Sequence, residues 1–289
     1  MSKLLKYSQN FLVNESVLRR LIGICDFKPT DTILDIGAGM GIITDILRSH
    51  SRRVVCIEPD VNLLKNLEEK FRLEKSVNVV GVSFEEFVLP QDNFKVFSNI
   101  PFNSTAIILK GLLENNQFSQ GYLILQKEAA EKYGGEQLGV PNSLVSSIYG
   151  SIYEFKIIYR FNNSDFNPKP NVNIVLLRIK KRKGPLIDFD KFGLYKDFIY
   201  YIFNNSNPNI CKLKIFTKPQ LFRFKKDIGL NDKSIPSKIT LTQLCHIFKV
   251  ISVTDKINLF QGSYQKAKKT ENKIEKVFRT RIDKNWRDK

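Results

Sequence analysis

A glycine-rich stretch at residues 32–44, T-I-L-D-I-G-A-G-M-G-I-I-T, constrains the fold of this chain more than any other segment. A short β-branched and apolar run is interrupted by three glycines, and apolar pairs at 42/43 and 46/47 then recur at helical spacing. The pattern predicts a strand, a tight turn and a helix. In an open α/β sheet, such a turn lets a ligand approach the backbone at the start of the helix.

The spacing of the glycines bears on the chemical nature of that ligand. Dinucleotide-binding turns follow G-x-G-x-x-G, whereas Gly37, Gly39 and Gly41 alternate here and position 42 is Ile. This spacing favours S-adenosylmethionine (SAM) over NAD. Asp35 is placed to receive the ammonium of the methionine part, and N–H groups near Gly37 and Gly39 are expected to face its carboxylate. A glycine-rich structural turn is the alternative that the loop by itself leaves open.

Two later strand ends carry polar residues suited to the rest of such a ligand. Residues 53–57 predict a second strand that ends at Glu58, where folds of this type contact ribose hydroxyls. Asp60 suits the N-cap of the helix that follows, and Glu58 could alternatively be a cap or a solvated charge. Residues 77–81 predict a third strand, after which Ser83 could hydrogen-bond an adenine amino group.

The fourth predicted strand, residues 95–98, ends at Asn99-Ile100-Pro101-Phe102. An exocyclic adenine amine is hard to methylate because its lone pair is delocalised into the ring. The Asn99 side-chain carbonyl and a backbone carbonyl around Ile100 or Pro101 could orient that amine, while Phe102 offers a face for an extruded base. Catalysis would then rest on placement rather than on a strong general base. The alternative is a strand-ending turn with a core phenylalanine.

Composition indicates a globular protein with an anionic partner. The 289 residues, 42% of them hydrophobic, suffice for one sizeable domain and a smaller one. Lys and Arg number 46 against 29 acidic residues, a net charge of +17, which favours nucleic acid over a membrane. The first residues lack an apolar signal core and no apolar run is long enough to span a bilayer.

The four cysteines are scattered along the chain without a C-x-x-C pair: Cys25, Cys56, Cys211 and Cys245. Three of them lie within apolar runs, which favours free buried thiols over metal ligands or disulfides. We therefore expect no metal site, and a reducing, cytoplasmic location.

Five motifs in this order resemble those of the rRNA adenine dimethyltransferase family: S-Q-N-F-L (8–12), D-I-G-A-G-M-G (35–41), I-E-P-D (57–60), N-I-P-F (99–102) and F-N-P-K-P-N-V (166–172). The resemblance covers about the first two-thirds of the chain. It implies a Rossmann-like SAM-dependent methyltransferase with a seven-stranded, mostly parallel sheet, one strand reversed near its end, and a small C-terminal helical domain.

The resemblance also implies roles for individual residues. The residues that would line the SAM site are Gln9, Asn10, Gly37, Gly39, Glu58, Ser83 and Asn99, to which we add Leu12 and Asp35. The target adenine would be held by Asn99, Ile100, Pro101 and Phe102, and Phe166 would close over the base from the other side. The chain departs from the family at Ser83, where an acid is usual, and at Asp35, where Glu is common.

Within the family, N-I-P-F, the segment F-N-P-K-P-N-V-N and the small basic C-terminal region look more like Erm methyltransferases. That branch methylates one adenine in the peptidyl-transferase loop of large-subunit rRNA and confers macrolide-lincosamide-streptogramin resistance. The alternatives are a KsgA-type small-subunit rRNA dimethyltransferase and a non-catalytic, transcription-factor-like nucleic-acid-binding relative. DNA adenine methylation is a more distant fourth.

A charge run at 180–183 followed by Gly184-Pro185 predicts a domain boundary. The predicted domains are a catalytic domain (1–183), a helical RNA-binding domain (184–264) and a basic tail (265–289). We expect the protein to be a monomer. Residues 212–226 interleave lysines and arginine with Phe216, Phe222 and Phe224; we expect the cations to contact RNA and the phenylalanines to be core. The tail is predicted to be a disordered arm or a helix that orders on RNA.

Overall fold

The computed structural model describes residues 11–270 and divides them into two compact units. The first unit contains residues 11–138 and 153–183, and the second contains residues 139–152 and 184–270. One division between the units therefore falls between Lys183 and Gly184. The segment 139–152 interrupts the first unit in sequence and belongs to the second in space.

Within the described residues of the first unit, the strands form one large sheet and one two-stranded sheet. Their bounds are β1 (Phe11–Leu12), β2 (Thr32–Ile36), β3 (Arg53–Ile57), β4 (Val77–Val80), β5 (Phe94–Asn99), β6 (Phe118–Gln126), β7 (Tyr153–Arg160), β8 (Phe166–Asn167) and β9 (Ile174–Lys181). The seven-stranded sheet has the order β4-β3-β2-β5-β6-β9-β7, and β1 pairs with β8.

The direction of the strands confirms the predicted Rossmann-like sheet. Strands β2 to β6 are parallel to one another, and β9 is antiparallel to both β6 and β7. One strand of the seven is thus reversed, and it is the last in sequence. All five residues of β2 are buried, as expected of a central strand in a parallel sheet that is covered on both faces.

The strand order creates a switch point between β2 and β5. The chain leaves β2 for β3 and β4 on one side of it, and then returns to place β5 on the other side. In open α/β sheets, ligands bind outside the carboxyl ends of the strands at such a point. The glycine loop and the N-I-P-F segment leave β2 and β5 at this edge.

The helices of the first unit are α1 (Glu15–Gly23), α2 (Ile42–Leu47), α3 (Val61–Lys70), α4 (Thr105–Glu114) and α5 (Lys127–Gly134). Side chains cap the starts of two of them, Asn14 at α1 and Asp60 at α3, and the latter confirms the predicted N-cap. The Asn14 side chain accepts from the N–H of Val17 at 3.3 Å, and Asp60 accepts from the N–H of Asn62 at 2.8 Å. These side chains satisfy N–H groups that a helix start leaves without an intrahelical partner.

The second unit is helical, as predicted. Its helices include α6 (Leu144–Tyr149), α7 (Phe192–Phe203), α8 (Lys218–Asp227) and α9 (Leu241–Ile251), and residues 263–270 are also helical. Aromatic rings dominate its core, with centroids 5.2 to 6.3 Å apart among Tyr195, Phe198, Phe248 and Phe260. The buried carboxylate of Asp197 accepts from the N–H groups of Gly262 and Tyr264 at 2.8 and 2.9 Å, which anchors the start of helix 263–270 on α7.

The expectation that the phenylalanines of 212–226 are core is wrong for Phe222. Phe224 is buried, with its ring centroid 5.5 Å from that of half-buried Phe216. Phe222 lies two residues before Phe224 on α8, about 200° away around the helix, and 72% of it is exposed. The alternation of lysines and phenylalanines did not reveal the helical phase.

The cysteines are free thiols, three buried and Cys25 half-buried, as predicted. Burial raises the pKa of Cys56 to about 12, so this thiol stays protonated at neutral pH. Among residues 11–270 there is no helix with the length and apolar character needed to cross a bilayer.

Gly41 precedes α2 in the left-handed conformation, with φ of 72°. A Cβ there would lie 2.5 Å from Cδ2 of Leu67 and 3.0 Å from Cε2 of Phe71. We expect Gly41→Ala to lower the free energy of unfolding by about 2 kcal/mol or more, because backbone strain and overlap with α3 add together. Urea titration measures the effect. Gly23→Ala is the control, since a Cβ at Gly23 meets nothing within 4 Å; equal stability of the two variants would contradict the prediction.

Candidate active site

The loops after β2 and β5 lie against each other. Leu34 of β2 pairs with Val96 of β5, and the N–H of Ile36 donates to the buried hydroxyl of Ser98 at 2.7 Å. A Cβ at Gly37 would lie 3.2 Å from Cδ of Pro101. The absence of a side chain at Gly37 is therefore what allows the glycine loop to approach the N-I-P-F segment so closely.

Asp35 is fully buried at the end of β2. Its Oδ2 accepts from the hydroxyl of Thr44 at 2.7 Å, whereas Oδ1 is buried without a hydrogen-bond partner within the part of the chain that the structure describes. Burial raises the pKa of Asp35 to about 7, a rise that the Thr44 hydrogen bonds oppose and the charge of Glu58 reinforces. A buried oxygen of this kind suits a cationic donor such as an ammonium group.

The backbone N–H groups of the glycine loop are used differently from the expectation. The N–H groups of Gly37 and Ala38 donate to the carbonyl of Ile57 at 2.8 and 3.1 Å, and the N–H of Gly39 donates to Oε2 of Glu58 at 2.8 Å. The fold itself takes up these donors, which the motif assigned to a ligand carboxylate. The glycine loop is thereby fastened to the end of β3.

Glu58 is fully buried beneath the glycine loop. Besides the bond from Gly39, its Oε1 accepts from the N–H of Asp60 at 2.9 Å. Burial raises the pKa of Glu58, and these two backbone hydrogen bonds oppose the rise. A carboxylate has about four acceptor positions, and these two backbone hydrogen bonds occupy two of them. Its role as a ribose ligand stays a prediction.

Ser83 follows β4 and contacts a carboxylate. Its hydroxyl and its N–H donate to Oε2 of Glu86 at 2.9 and 3.2 Å, and Glu85 and Glu86 are exposed. Because the hydroxyl proton points to Glu86, the lone pairs of the Ser83 oxygen remain available to accept from an adenine amino group. The contact with adenine stays a prediction.

The N-I-P-F segment has one backbone carbonyl that is already occupied. The Pro101 oxygen accepts from the N–H of Ser104 and from the hydroxyl of Thr105, both at 3.1 Å, which uses both lone pairs. Asn99 is half-buried, and Phe102 packs partly against the core. The side chain of Ile100 is buried, so Ile100 offers its backbone rather than its side chain to a ligand.

Phe166 lies in the core, with only 2% of it exposed. Its ring meets that of Phe161 edge to face at 5.4 Å, and its backbone in β8 pairs with buried Leu12 in β1. To stack on a base, the Phe166 ring would have to leave this packing, so its closing role stays a prediction. Gln9 and Asn10 lie outside the described residues, immediately before β1 in sequence.

The pairing of β1 with β8 is reinforced by a side-chain hydrogen bond. Nδ2 of Asn14 donates to Oδ1 of the buried Asp165 at 2.8 Å, and Oδ2 of Asp165 accepts from the N–H of Asn162 at 3.0 Å. This bond ties the segment that follows Gln9 and Asn10 to the F-N-P-K-P-N-V segment. Two of the five motifs, distant in sequence, are thereby joined.

The structure adds three hydroxyl residues that the motifs did not reveal: Thr44, Ser98 and Thr105. Thr44 lies in α2, nine residues after Asp35, and Thr105 lies four residues after Pro101. Thr44 and Thr105 bind Asp35 and Pro101 within their own segments, whereas the contact of Ser98 with Ile36 depends on the pairing of β2 with β5. Among residues 11–270 there is no group of three or more His, Cys, Asp or Glu side chains that could hold a metal ion.

Comparison with known proteins agrees with this arrangement. The model of the family described as Ribosomal RNA adenine dimethylase matches residues 2–252. The chain belongs to this family. The predicted membership of the rRNA adenine dimethyltransferases is confirmed.

Relatives within the family include proteins with two different names. An rRNA adenine N-6-methyltransferase of Bacteroides fragilis is 34% identical over 227 residues, which is 77% of this chain and 84% of the relative. A Ribosomal RNA small subunit methyltransferase A of Malacoplasma penetrans is 26% identical over 206 residues, 71% of this chain and 75% of the relative.

Two solved structures share the fold of this dimethylase family member. The 23S rRNA methyltransferase ErmE superposes with a TM-score of 0.76 at 22% identity, covering 84% of this chain and all of ErmE. A dimethyladenosine transferase from Plasmodium falciparum has a TM-score of 0.60 at 20% identity, covering 91% of this chain and 98% of that one.

Burial of Asp35 predicts a pH-dependent stability. Between the unfolded pKa of about 3.9 and the folded pKa of about 7, the folded carboxyl keeps a proton that the unfolded chain releases. Stability therefore falls as pH rises and levels off above the folded pKa. From about pH 5.5 to about pH 8.5, the free energy of unfolding should fall by about 2 kcal/mol relative to Asp35→Asn.

Urea titrations of wild type and Asp35→Asn across this pH range measure the difference. The exposed Asp92 provides a control of the same chemistry in the same unit: Asp92→Asn should follow the wild type at every pH. A difference between wild type and Asp35→Asn that stays constant with pH would contradict the assignment.

Proposed function

We propose that this family member transfers a methyl group from SAM to the exocyclic amine of one adenine in large-subunit (23S) rRNA. Membership of the family supports an rRNA adenine as the acceptor. The Bacteroides fragilis relative, at 34% identity, is named an rRNA adenine N-6-methyltransferase, and the structure with the TM-score of 0.76 is that of a 23S rRNA methyltransferase. The N-I-P-F and F-N-P-K-P-N-V motifs support the same branch.

The observation that carries the proposal is the contact between the two loops at the switch point. Gly37 and Pro101 approach at the carboxyl ends of β2 and β5, where a Cβ on Gly37 would lie 3.2 Å from the proline ring. A donor bound along the glycine loop and an amine bound at Asn99 would therefore be neighbours. Placing two reactants in this way can account for much of the rate of a group transfer.

The residues around the glycine loop fit SAM. The buried Oδ1 of Asp35 has the position and charge to accept from the ammonium of the methionine part, Glu58 would accept from the ribose hydroxyls, and Ser83 from the adenine amino group. When bound, SAM supplies a methyl group activated by its sulfonium charge. The protein's part is to orient that methyl group toward the acceptor amine and to exclude water around it.

Asn99 and Ile100 would hold the acceptor amine. Because the Pro101 oxygen is engaged by Ser104 and Thr105, we assign the backbone acceptor to the Ile100 carbonyl and the second acceptor to the Asn99 side-chain carbonyl. Two acceptors on one amine favour its pyramidal form, in which the nitrogen lone pair can attack. The amine proton becomes acidic only as positive charge develops on nitrogen, so no strong base is required.

The biological consequence proposed is resistance to macrolide, lincosamide and streptogramin B antibiotics, as the resemblance to Erm implies. We also propose that the protein acts as a monomer in the cytoplasm, where rRNA is available. The second candidate is a small-subunit rRNA dimethyltransferase, which is favoured by the likeness to the Malacoplasma penetrans relative over 71% of this chain.

The acceptor is tested by incubating the protein with radiolabelled SAM and purified rRNA. We expect label in naked large-subunit rRNA at a single adenine, which primer extension locates. Label confined to assembled small-subunit particles would favour the second candidate instead. No label in any rRNA would contradict both and support a non-catalytic nucleic-acid-binding relative.

The role of Asn99 is tested by Asn99→Ala with Asn103→Ala as the matched control. Asn103 is exposed and lies four residues along the same loop. We expect Asn99→Ala to lower kcat for methyl transfer by about 100-fold or more, because the amine loses one of the two acceptors that orient it. Asn103→Ala should keep the wild-type rate, and comparable rates for the two variants would refute the assignment.

A further inference from the structure

One face of helix α8 packs against the core of the second unit. Leu221, Phe224 and Ile228 recur at i, i+3 and i+7 and face inward, with Phe224 buried and its ring centroid 5.9 Å from that of His246. A capping box between Thr217 and Gln220 closes the start of the helix. The position of α8 in the second unit is therefore well determined.

The opposite face carries residues that packing does not explain. Lys218, Phe222 and Lys226 are spaced four residues apart, so they lie in one row along the helix, and all three are exposed. Phe222 has 72% of its surface exposed. We call these three residues the α8 row. Lys225 lies beside the row and pairs with Asp232 at 3.4 Å.

The chemistry of the α8 row points to a particular kind of partner. Apolar protein interfaces are depleted in lysine around their aromatic residues, whereas here a lysine lies one turn before and one turn after the phenylalanine. Single-stranded nucleic acids are bound by aromatic rings that stack on bases and by cations that contact the backbone. The net charge of +17 favours the same class of partner.

We propose that the α8 row binds a single-stranded segment of the RNA substrate, with Phe222 stacked on a base and Lys218 and Lys226 on flanking phosphates. The two lysines are about 12 Å apart along the helix axis, so they reach phosphates on either side of the stacked base. The proposal rests on the proposed function only in taking rRNA as the substrate. It assigns to the second unit an RNA-binding surface separate from the methyl-transfer site.

The test measures the affinity of the full-length protein for a naked large-subunit rRNA fragment with single-stranded loops, without SAM, from about 50 to 200 mM salt. Phe222→Ala should weaken binding by about 5- to 100-fold, because one base no longer stacks on the protein, and should leave the salt dependence unchanged. Phe222→Trp should keep the affinity. Lys218→Ala with Lys226→Ala should reduce the slope of log K against log salt by about 1.4, because each neutralised phosphate of a single strand accounts for about 0.7 of that slope.

Phe189→Ala and Lys249→Ala are the controls, since both residues are exposed in the same unit but lie outside the α8 row; both should bind RNA as the wild type does. All variants should keep the wild-type Tm, because none removes a buried group. Wild-type RNA affinity of Phe222→Ala would overturn the proposal. If that variant kept its RNA affinity but lost a binding to phosphatidylglycerol vesicles that the wild type shows, the α8 row would be a membrane-binding surface, which overturns the proposal as well. RNA binding that depends on Phe222, in a protein that methylates no rRNA, would support the α8 row and contradict only the proposed function.

Discussion

The pairing of β2 with β5 is the constraint on which the active site depends. Because the chain crosses from β4 back to the other side of β2, the loops that follow these two strands emerge side by side. A 2.7 Å hydrogen bond from the Ile36 N–H to the buried Ser98 hydroxyl joins the two strands directly before these loops. Without a side chain at Gly37, the loop after β2 can then reach the loop after β5 at van der Waals distance.

Around this pairing, the fold places carboxylates where water does not reach them. Asp35 and Glu58 are both fully buried, and burial raises the pKa of each. Hydrogen bonds from backbone N–H groups partly offset the effect of burial on the pKa of Glu58, and the hydrogen bond from Thr44 does the same for Asp35. A buried carboxylate oxygen without a partner destabilises the folded chain. A cationic ligand group that donated a hydrogen bond to this oxygen would remove that destabilisation.

Much of the candidate site could be predicted from the sequence, because short motifs at strand ends carry both the turn geometry and the polar groups. The N-caps at Asn14 and Asp60 could be predicted for the same reason: a cap acts within three residues of itself. The engagement of the Gly37 and Gly39 N–H groups by Ile57 and Glu58 could not be predicted, since these partners are distant in sequence. The same holds for the burial of Phe166 and for the bond between Asn14 and Asp165. The exposure of Phe222 could be predicted only from the position of each residue around α8, which the structure supplies.

The sequence by itself determined the class of sheet, which strands end in polar residues, and membership of the family. Buried runs, glycines and strand-end residues are local features, and their order along the chain can be read directly. Tertiary structure alone decided which groups are free to meet a ligand. It engaged the Gly39 N–H with Glu58, left one Asp35 oxygen without a partner within the described residues and turned Phe222 outward. The physical reason is that hydrogen-bond satisfaction and burial depend on which segments touch, and contact between distant segments is a property of the folded chain.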